Sequence, residues 1–453
     1  MRMEDRQKGG MLAAFITVTT LFFAWGFITS MIDPLVASVK GIFDLTDLQA
    51  QLSASAFFIA YGIVSLPAAA LLSRLHSAKT IILALILMVA GCLTMLFAAN
   101  LAVYTLVLVG LFILASGITI LQVAANPLAA ALGDPRYSHL RLTLSQAFNS
   151  FGTFLGPILG AHLFLAGIEV KEGSAVTEAA RANALAGIDA AYFWISGLIA
   201  ALALFFFFAR KVVTAAAPVP SDEVARRGIG AILADALSSR WAVLGGAAIF
   251  LYVGAEVAIG TQMALFLNSD AIWGNSDSPF GVPLVGALMG SDGVPGVSLQ
   301  EAGKAVALYW GGAMVGRLVG SALLARMRAG LLLAIFTAIA AAMCLYVAFV
   351  GGVEAGYVAL SIGLFNSIMF PVIFTLTLER STASEEATSG FLCMAIVGGA
   401  AIPPLVGLVS GSTGYALALV VPAACYLLLC LFALSADRVK VAAGAGAPAR
   451  ATH

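Results

Sequence analysis

Long apolar stretches alternate with short polar ones along almost the whole chain. A helix needs about 20 predominantly apolar residues to cross the roughly 30 Å hydrocarbon core of a bilayer. Stretches of this kind recur along the sequence, and each predicts one membrane-spanning helix. Their approximate ranges are 11–39, 50–74, 79–98, 101–132, 139–166, 189–210, 241–268, 300–326, 329–350, 353–379, 385–411 and 413–435. The pattern therefore predicts an all-α membrane protein with twelve transmembrane helices.

The composition agrees with this prediction and excludes some functions. Of 453 residues, 61% are hydrophobic and 10% are charged, whereas soluble domains are about half apolar and a quarter charged. Lys and Arg equal Asp and Glu at 23 each, so the chain has no net basic field for nucleic acid. The first apolar stretch is too long for the core of a cleaved signal peptide, which favours a retained first helix.

The basic residues are unevenly distributed between the two sets of loops. If the N-terminus is cytoplasmic, 18 Lys and Arg residues fall in inner segments and four fall in outer loops. Cytoplasmic loops retain positive charge, so both termini are predicted to be cytoplasmic. The predicted organisation is an N-terminus at 1–10, a six-helix half at 11–210, a cytoplasmic central loop at 211–240, a second six-helix half at 241–435 and a cytoplasmic tail at 436–453.

The two halves carry landmarks at similar positions. Pro127 and Pro157 of the first half are matched by Pro371 and Pro403 of the second, at offsets of 244 and 246 residues. Such offsets are typical of a duplicated six-helix unit. Two six-helix halves with cytoplasmic ends resemble the major facilitator architecture, in which a substrate binds at mid-membrane between the halves.

Three ionisable residues fall deep inside predicted spans, where a charge costs from about 2.5 kcal/mol upward. Asp33 is followed by Pro34, whose ring disturbs helical bonding and can free carbonyl groups nearby. Asp33 is therefore the first candidate for cation coupling, and Glu256 is the second. Glu256 could instead form a structural ion pair with Arg317, whose planar guanidinium could also bind substrate. The sequence leaves these alternatives open.

Neutral polar side chains form two stripes at helical spacing. Gln122 and Asn126 share one face of the fourth span, and Gln146 and Asn149 share one face of the fifth. Some such amides could be interhelical hydrogen-bond glue. Together with aromatic rings, they also provide the neutral donors, acceptors and flat surfaces that a sugar needs. The predicted substrate-binding residues are Trp25, Gln122, Asn126, Gln146, Asn149, Gln262, Trp310, Arg317 and Asn366.

Six stretches of the sequence resemble a known family. They are FFAWGF at 22–27, FFIAY at 57–61, LQVAANP at 121–127, QAFNS at 146–150, YVGAEV at 252–257 and WGGAMVGR at 310–317. They are similar to the fucose:proton symporter family, and Gln122 and Glu256 are similar to its glucose/galactose transporter-like branch. The resemblance implies a multi-pass protein of a bacterial-type inner membrane. It also implies secondary active uptake of a monosaccharide (glucose, galactose, fucose or an amino sugar) with a cation, by alternating access.

The identity of the coupling cation divides the remaining hypotheses. A proton is preferred, while sodium stays an alternative because carboxylate, hydroxyl and freed carbonyl oxygens suit a hard cation. An uncoupled sugar facilitator would leave Asp33 without a role.

No G-x-x-x-x-G-K-[ST] loop occurs, and the four histidines are scattered over separate segments. The sequence therefore predicts a transport protein rather than an enzyme or a nucleotide-driven pump, with no cofactor or metal.

Overall fold

The computed structural model describes residues 2–132, 138–165, 168, 177–216, 228–276, 283–290, 296–324 and 326–439. These residues form a helical bundle. The helices are α1 (Arg2–Ser30), α2 (Ile32–Phe43), α3 (Asp47–Leu101), α4 (Tyr104–Ala131), α5 (Ser138–Phe164), α6 (Glu178–Ala216), α7 (Ile229–Ser238), α8 (Arg240–Asn268), α9 (Pro283–Met289), α10 (Leu299–Leu324), α11 (Ala329–Val350), α12 (Gly352–Asn366), α13 (Met369–Arg380), α14 (Glu385–Met394), α15 (Gly398–Thr413), α16 (Tyr415–Ala418) and α17 (Val420–Arg438).

Eleven stretches of the described chain are helices long and apolar enough to cross a membrane. They coincide with eleven of the predicted spans. The remaining prediction, 139–166, lies on α5, which is a helix of 27 residues but is not among the eleven. Its polar residues, such as Asn149 and His162, make it less apolar than its neighbours. The number twelve therefore stays a prediction.

The first three predicted spans depart from single straight helices. The first span divides into α1 and α2 at Met31, as the disturbance expected from Pro34 predicts. The second and third spans are merged into α3, whose backbone turns sharply at His76, with a φ of 62°. Thr46 begins α3 with a capping box, because its side chain and that of Gln49 each satisfy the other's backbone N–H.

A row of glycines holds α1 and α2 against α5. Gly152, Gly156 and Gly160 recur every fourth residue on α5. A Cβ atom at Gly152 would lie 2.5 Å from the carbonyl oxygen of Phe23, and one at Gly160 would lie 2.5 Å from Cγ of Pro34. Neither distance is tolerable for a real side chain. The absence of side chains here lets the backbones approach closely, as small residues commonly do in membrane helices.

Two seams join the halves of the chain. On one, α3 packs against α15, and on the other α5 packs against α10. The loop at 44–46 between α2 and α3 lies at one end of the bundle, here named the outer end because the charge pattern predicts that it faces outside. The domain boundaries and cytoplasmic termini stay predictions, and their segments 217–227 and 440–453 lie outside the described residues.

Candidate functional site

Asp33 lies at the contact between the two halves. It occupies the first turn of α2, and only 4% of its surface is exposed. Nε1 of Trp310, from α10 in the second half, donates a 2.6 Å hydrogen bond to its Oδ2. Gly260 of α8 lies beside the same carboxyl group, since a Cβ atom there would be 3.4 Å from Oδ1 of Asp33. The carboxyl group of one half is thus held against two helices of the other.

Glu256 belongs to a network within the second half. Oη of Tyr252 donates to Oε1 of Glu256 over 2.6 Å. Oη of Tyr309 donates to the backbone carbonyl of Glu256 over 3.1 Å, and it accepts a 2.6 Å bond from Nδ2 of Asn366. Asn366 is therefore fixed beside Glu256 by Tyr309.

Two consecutive residues of α10 reach the two carboxyl sites. Tyr309 bonds to Glu256, and Trp310 bonds to Asp33. Their ring centroids are 5.1 Å apart at an interplanar angle of 74°. A movement of α10 would therefore change the surroundings of both carboxyl groups.

Arg317 does not form the ion pair with Glu256 that was one of the two alternatives for these residues. Its Nη1 donates to Oγ of Ser150 on α5, and its Nε donates to the carbonyl of Ser367 over 3.4 Å. The guanidinium thus bridges the α5–α10 seam from the second half to the first. Glu256 instead takes its hydrogen bond from Tyr252.

The amide stripes combine bonded and unbonded groups. Gln122 donates a 2.8 Å bond to Oη of Tyr61, and Nδ2 of Asn149 donates a 3.1 Å bond to the carbonyl of Phe22. Oδ1 of Asn126 is buried without a hydrogen-bond partner within the part of the chain that the structure describes, and Gln146 is half-buried. A buried polar atom without a partner is costly, so Asn126 is suited to receive a hydrogen bond from a ligand.

Two other predicted contacts lie in different surroundings. Trp25 is buried, with its ring centroid 4.1 Å from that of Phe22. Gln262 lies towards the outer end, where its Nε2 donates a 2.7 Å bond to Oγ of Ser410. The structure therefore does not bring Gln262 together with the amides of α4 and α5.

A groove of about 490 Å³ is lined by none of the predicted substrate residues. Its lining is mostly apolar and comes from both halves of the chain. The lining residues are Phe27, Leu155, Ile158, Leu159, His162, Leu288 and Lys304. The groove is therefore separate from the candidate site.

The tyrosines that bind the polar groups are not evident from the hydropathy pattern. Tyr61, Tyr252 and Tyr309 count as hydrophobic in a hydropathy pattern, although each carries a hydroxyl group. The four-residue spacing of Tyr252 and Glu256 was an available signal, because residues at that spacing meet on one face of a helix. The partners of Tyr61 and Tyr309 lie on other helices, and no local spacing reveals them.

Comparisons with known proteins place the chain in a family. The family model of the Major Facilitator Superfamily matches residues 14–389. The chain belongs to the major facilitator superfamily. It is accordingly a multi-pass membrane protein of a transporter family.

Two curated relatives match this transporter over nearly its full length. The glucose/galactose transporter of Brucella abortus biovar 1 (strain 9-941) is 39% identical over 423 residues, which cover 93% of each chain. The L-fucose-proton symporter of Escherichia coli (strain K12) is 31% identical over 454 residues, which cover 95% of each chain.

This transporter is also similar to a solved structure. FucP, the fucose:proton symporter of E. coli, crystallised in the outward conformation, is similar to this transporter with a TM-score of 0.65 and 28% identity. The alignment covers 95% of this chain and 100% of that chain. The resemblance inferred from the six sequence stretches is confirmed.

Proposed function

We propose that this transporter takes up a monosaccharide in symport with a proton by alternating access. The names of its relatives, a glucose/galactose transporter and an L-fucose-proton symporter, support the substrate class and the coupling ion. The observation that carries the proposal is the hydrogen bond between Asp33 and Trp310, which connects a buried carboxyl group of one half to the other half.

The charge of Asp33 would control this connection. No described residue forms an ion pair with Asp33, and a buried charge without a counter-charge is expensive. Protonation removes the charge. It also weakens the bond from Trp310, because hydrogen bonds to ionised groups are roughly twice as strong as neutral ones. A proton on Asp33 would therefore loosen the two halves at this point and allow the loaded transporter to reorient.

The sugar would bind between Asp33 and the amides of α4 and α5. Asn126 offers an unpaired acceptor, Gln146 is half-buried, and Gln122 and Asn149 present amides already oriented by Tyr61 and Phe22. Neutral amides suit the hydroxyl groups of an uncharged sugar. In this proposal Trp310 and Arg317 complete the site from the second half, since both bond to groups of the first.

Glu256 is the second candidate for coupling. It too is free of ion pairs with described residues, but its partners Tyr252 and Tyr309 belong to its own half. A change in its charge would alter contacts inside one half rather than between halves. Asp33 is therefore preferred.

The test is transport by purified protein in liposomes. Labelled glucose, galactose, fucose and glucosamine are offered under separately imposed pH, sodium and voltage gradients. We expect accumulation driven by a pH gradient in the wild type. Asp33→Asn should abolish accumulation while retaining exchange of sugar at equal concentrations, because it imitates the neutral state permanently.

A matched control separates loss of coupling from general damage. Asp189 accepts a 2.6 Å bond from Asn100 within the first half, so Asp189→Asn should accumulate sugar normally. Accumulation driven by a sodium gradient alone would show that the coupling cation is sodium and not a proton. Saturable flux that no gradient drives uphill would make the protein a facilitator, and full accumulation by Asp33→Asn would refute the role of Asp33.

A further inference from the structure

A set of buried and half-buried polar side chains joins the two halves at the outer end. Lys40, Asp47 and Gln51 come from α2 and α3 in the first half. The others come from α8, α15 and α16 in the second half. We name the whole set the outer cluster; it comprises Lys40, Asp47, Gln51, Thr261, Gln262, Ser410 and Tyr415.

Asp47 is the centre of this cluster. Oη of Tyr415 donates to its Oδ1 over 3.0 Å, and Oγ of Ser410 donates to its Oδ2 over 3.0 Å. Both donors belong to the second half. Lys40 forms an ion pair with Asp47 and also donates a 2.5 Å bond to Oη of Tyr415. The charge of Asp47 is thus balanced within its own half, while its remaining lone pairs are satisfied by the other half.

A second bridge lies one helical turn further into the bundle. Oγ1 of Thr261 donates a 2.8 Å bond to Oε1 of Gln51, across the same seam. Gln262, next to Thr261, orients Ser410 by donating to its hydroxyl. The hydroxyls of Ser410 and Tyr415 therefore each accept from one neighbour and donate to Asp47.

These bonds require direct contact between α3 and α15. A Cβ atom at Gly407 would lie 2.8 Å from the carbonyl oxygen of Asp47, so the two backbones touch beside the cluster. On the other seam, a Cβ atom at Gly303 would lie 2.9 Å from Cβ of Ala161. The outer end is closed along both seams, and the bonds of the outer cluster can form only when it is closed.

We propose that the outer cluster is a latch that holds the outer end of the transporter closed, with Asp47 as its hub. Opening of this end breaks the bonds from Tyr415, Ser410 and Thr261 and exposes Asp47 and Lys40 to water as an intact ion pair. The latch stabilises the closed state without binding the sugar or the coupling ion. It rests on the alternating access of the proposed function, but on neither the substrate nor the cation.

Distance measurements between the halves test this proposal directly. Spin labels are attached to Leu101→Cys and Ala271→Cys, two exposed outer-end positions in the first and second halves, with the five native cysteines replaced. Tyr415→Phe removes the bonds of its hydroxyl with Asp47 and Lys40, and Ser410→Ala removes the bond from its hydroxyl to Asp47. We expect each to lower the ratio of closed to open populations about tenfold or more, seen as longer label-to-label distances.

Matched controls remove equivalent groups that do not bridge the halves. Oη of Tyr346 donates to Glu354 within the second half, and Ser412 bonds to the carbonyl of Val409 in its own helix. Tyr346→Phe and Ser412→Ala should leave the distances unchanged. Unchanged distances in both latch variants would overturn the proposal, as would equal shifts in the controls.

The measurement needs neither sugar nor an ion gradient. A latch that opens as expected in a protein that accumulates no sugar would leave this inference standing and refute the proposed function. Both latch substitutions leave Asp47 paired with Lys40, so a folded protein is expected in each case. Thermal unfolding of each labelled variant confirms this.

Discussion

Asp33 and Asp47 lie 14 residues apart in the first half, and both touch the second half, but their surroundings differ. Asp47 has a lysine counter-charge and two hydroxyl donors. Asp33 receives a single hydrogen bond, from Trp310, among the residues that the structure describes. A carboxylate surrounded by donors and a cation serves as a fixed connection. A carboxylate with one neutral donor is the one whose charge can change.

The largest expected effect comes from removal of the counter-charge of Asp47. Lys40→Met leaves a buried carboxylate unpaired, which typically costs about 3–5 kcal/mol. Thermal unfolding in detergent should show this loss, and the double variant Lys40→Met with Asp47→Asn should recover most of it. Lys304→Met is the control, because Lys304 at the same end bonds only to the carbonyl of Met289 among its described contacts. A single Lys40→Met variant as stable as the wild type would remove the distinction between the two aspartates.

Removal of the donor to Asp33 should affect coupling rather than stability. Trp310→Phe deletes a hydrogen bond worth about 1.5–3 kcal/mol when the acceptor is charged. The empty transporter would then reorient more easily without a proton, so sugar accumulation should fall about tenfold while equilibrium exchange continues. Trp273→Phe is the control, since Nε1 of Trp273 donates to Val353 within the second half. Equal losses of accumulation in both variants would argue against a coupling role for Trp310.

The difference between bonded and unbonded amides predicts which ones hold the sugar. Asn126→Ala removes an acceptor that no described residue uses, so sugar affinity should fall about 5- to 150-fold, or about 1–3 kcal/mol. Gln262→Ala removes an amide already bonded to Ser410 and should change sugar affinity less than twofold. Binding is measured by calorimetry on folded protein. The opposite ranking would move the sugar site towards the outer end.

The smallest expected effect concerns the backbone contact beside Asp47. Gly407→Ala places a Cβ atom 2.8 Å from the carbonyl oxygen of Asp47, whereas Gly411→Ala places one 3.9 Å from its Oδ2. The first should destabilise the closed outer end by about 1 kcal/mol, and the second should not. Label-to-label distances would show a shift for Gly407→Ala alone. Identical distances in the two variants would mean that the seam is more compliant than its packing indicates.

The sequence was sufficient to predict the helices, but not to predict which polar side chains form hydrogen bonds between them. Apolar length alone located eleven of the predicted spans, and Pro34 indicated the disturbed helical bonding that the structure shows at Met31. The hydrogen bond from Lys40 to Tyr415 connects residues 375 positions apart, and the bond from Arg317 to Ser150 connects residues 167 apart. Local spacing carries no information about such pairs, because they depend on how the halves pack.

The roles of Glu256 and Gln262 illustrate the same limit. The sequence left Glu256 between a pair with Arg317 and an independent role, and only the packing of α10 beside α8 shows that Tyr309 joins Tyr252 beside it. Gln262 resembled a sugar contact because it is an amide in an apolar helix. Its neighbours on α15 instead make it part of the outer cluster.

The glycine row on α5 has a mechanical consequence. Because Gly152, Gly156 and Gly160 leave no room between α5 and the first span, Asp33 and Asn149 are carried by one rigid body. In the proposed alternating-access mechanism, their separation stays constant while the halves move, and what changes is the distance of each from α8 and α10. The proposed proton site and the proposed first-half sugar contacts therefore keep fixed positions relative to each other. Only their contacts with the second half would change when a proton or a sugar is bound.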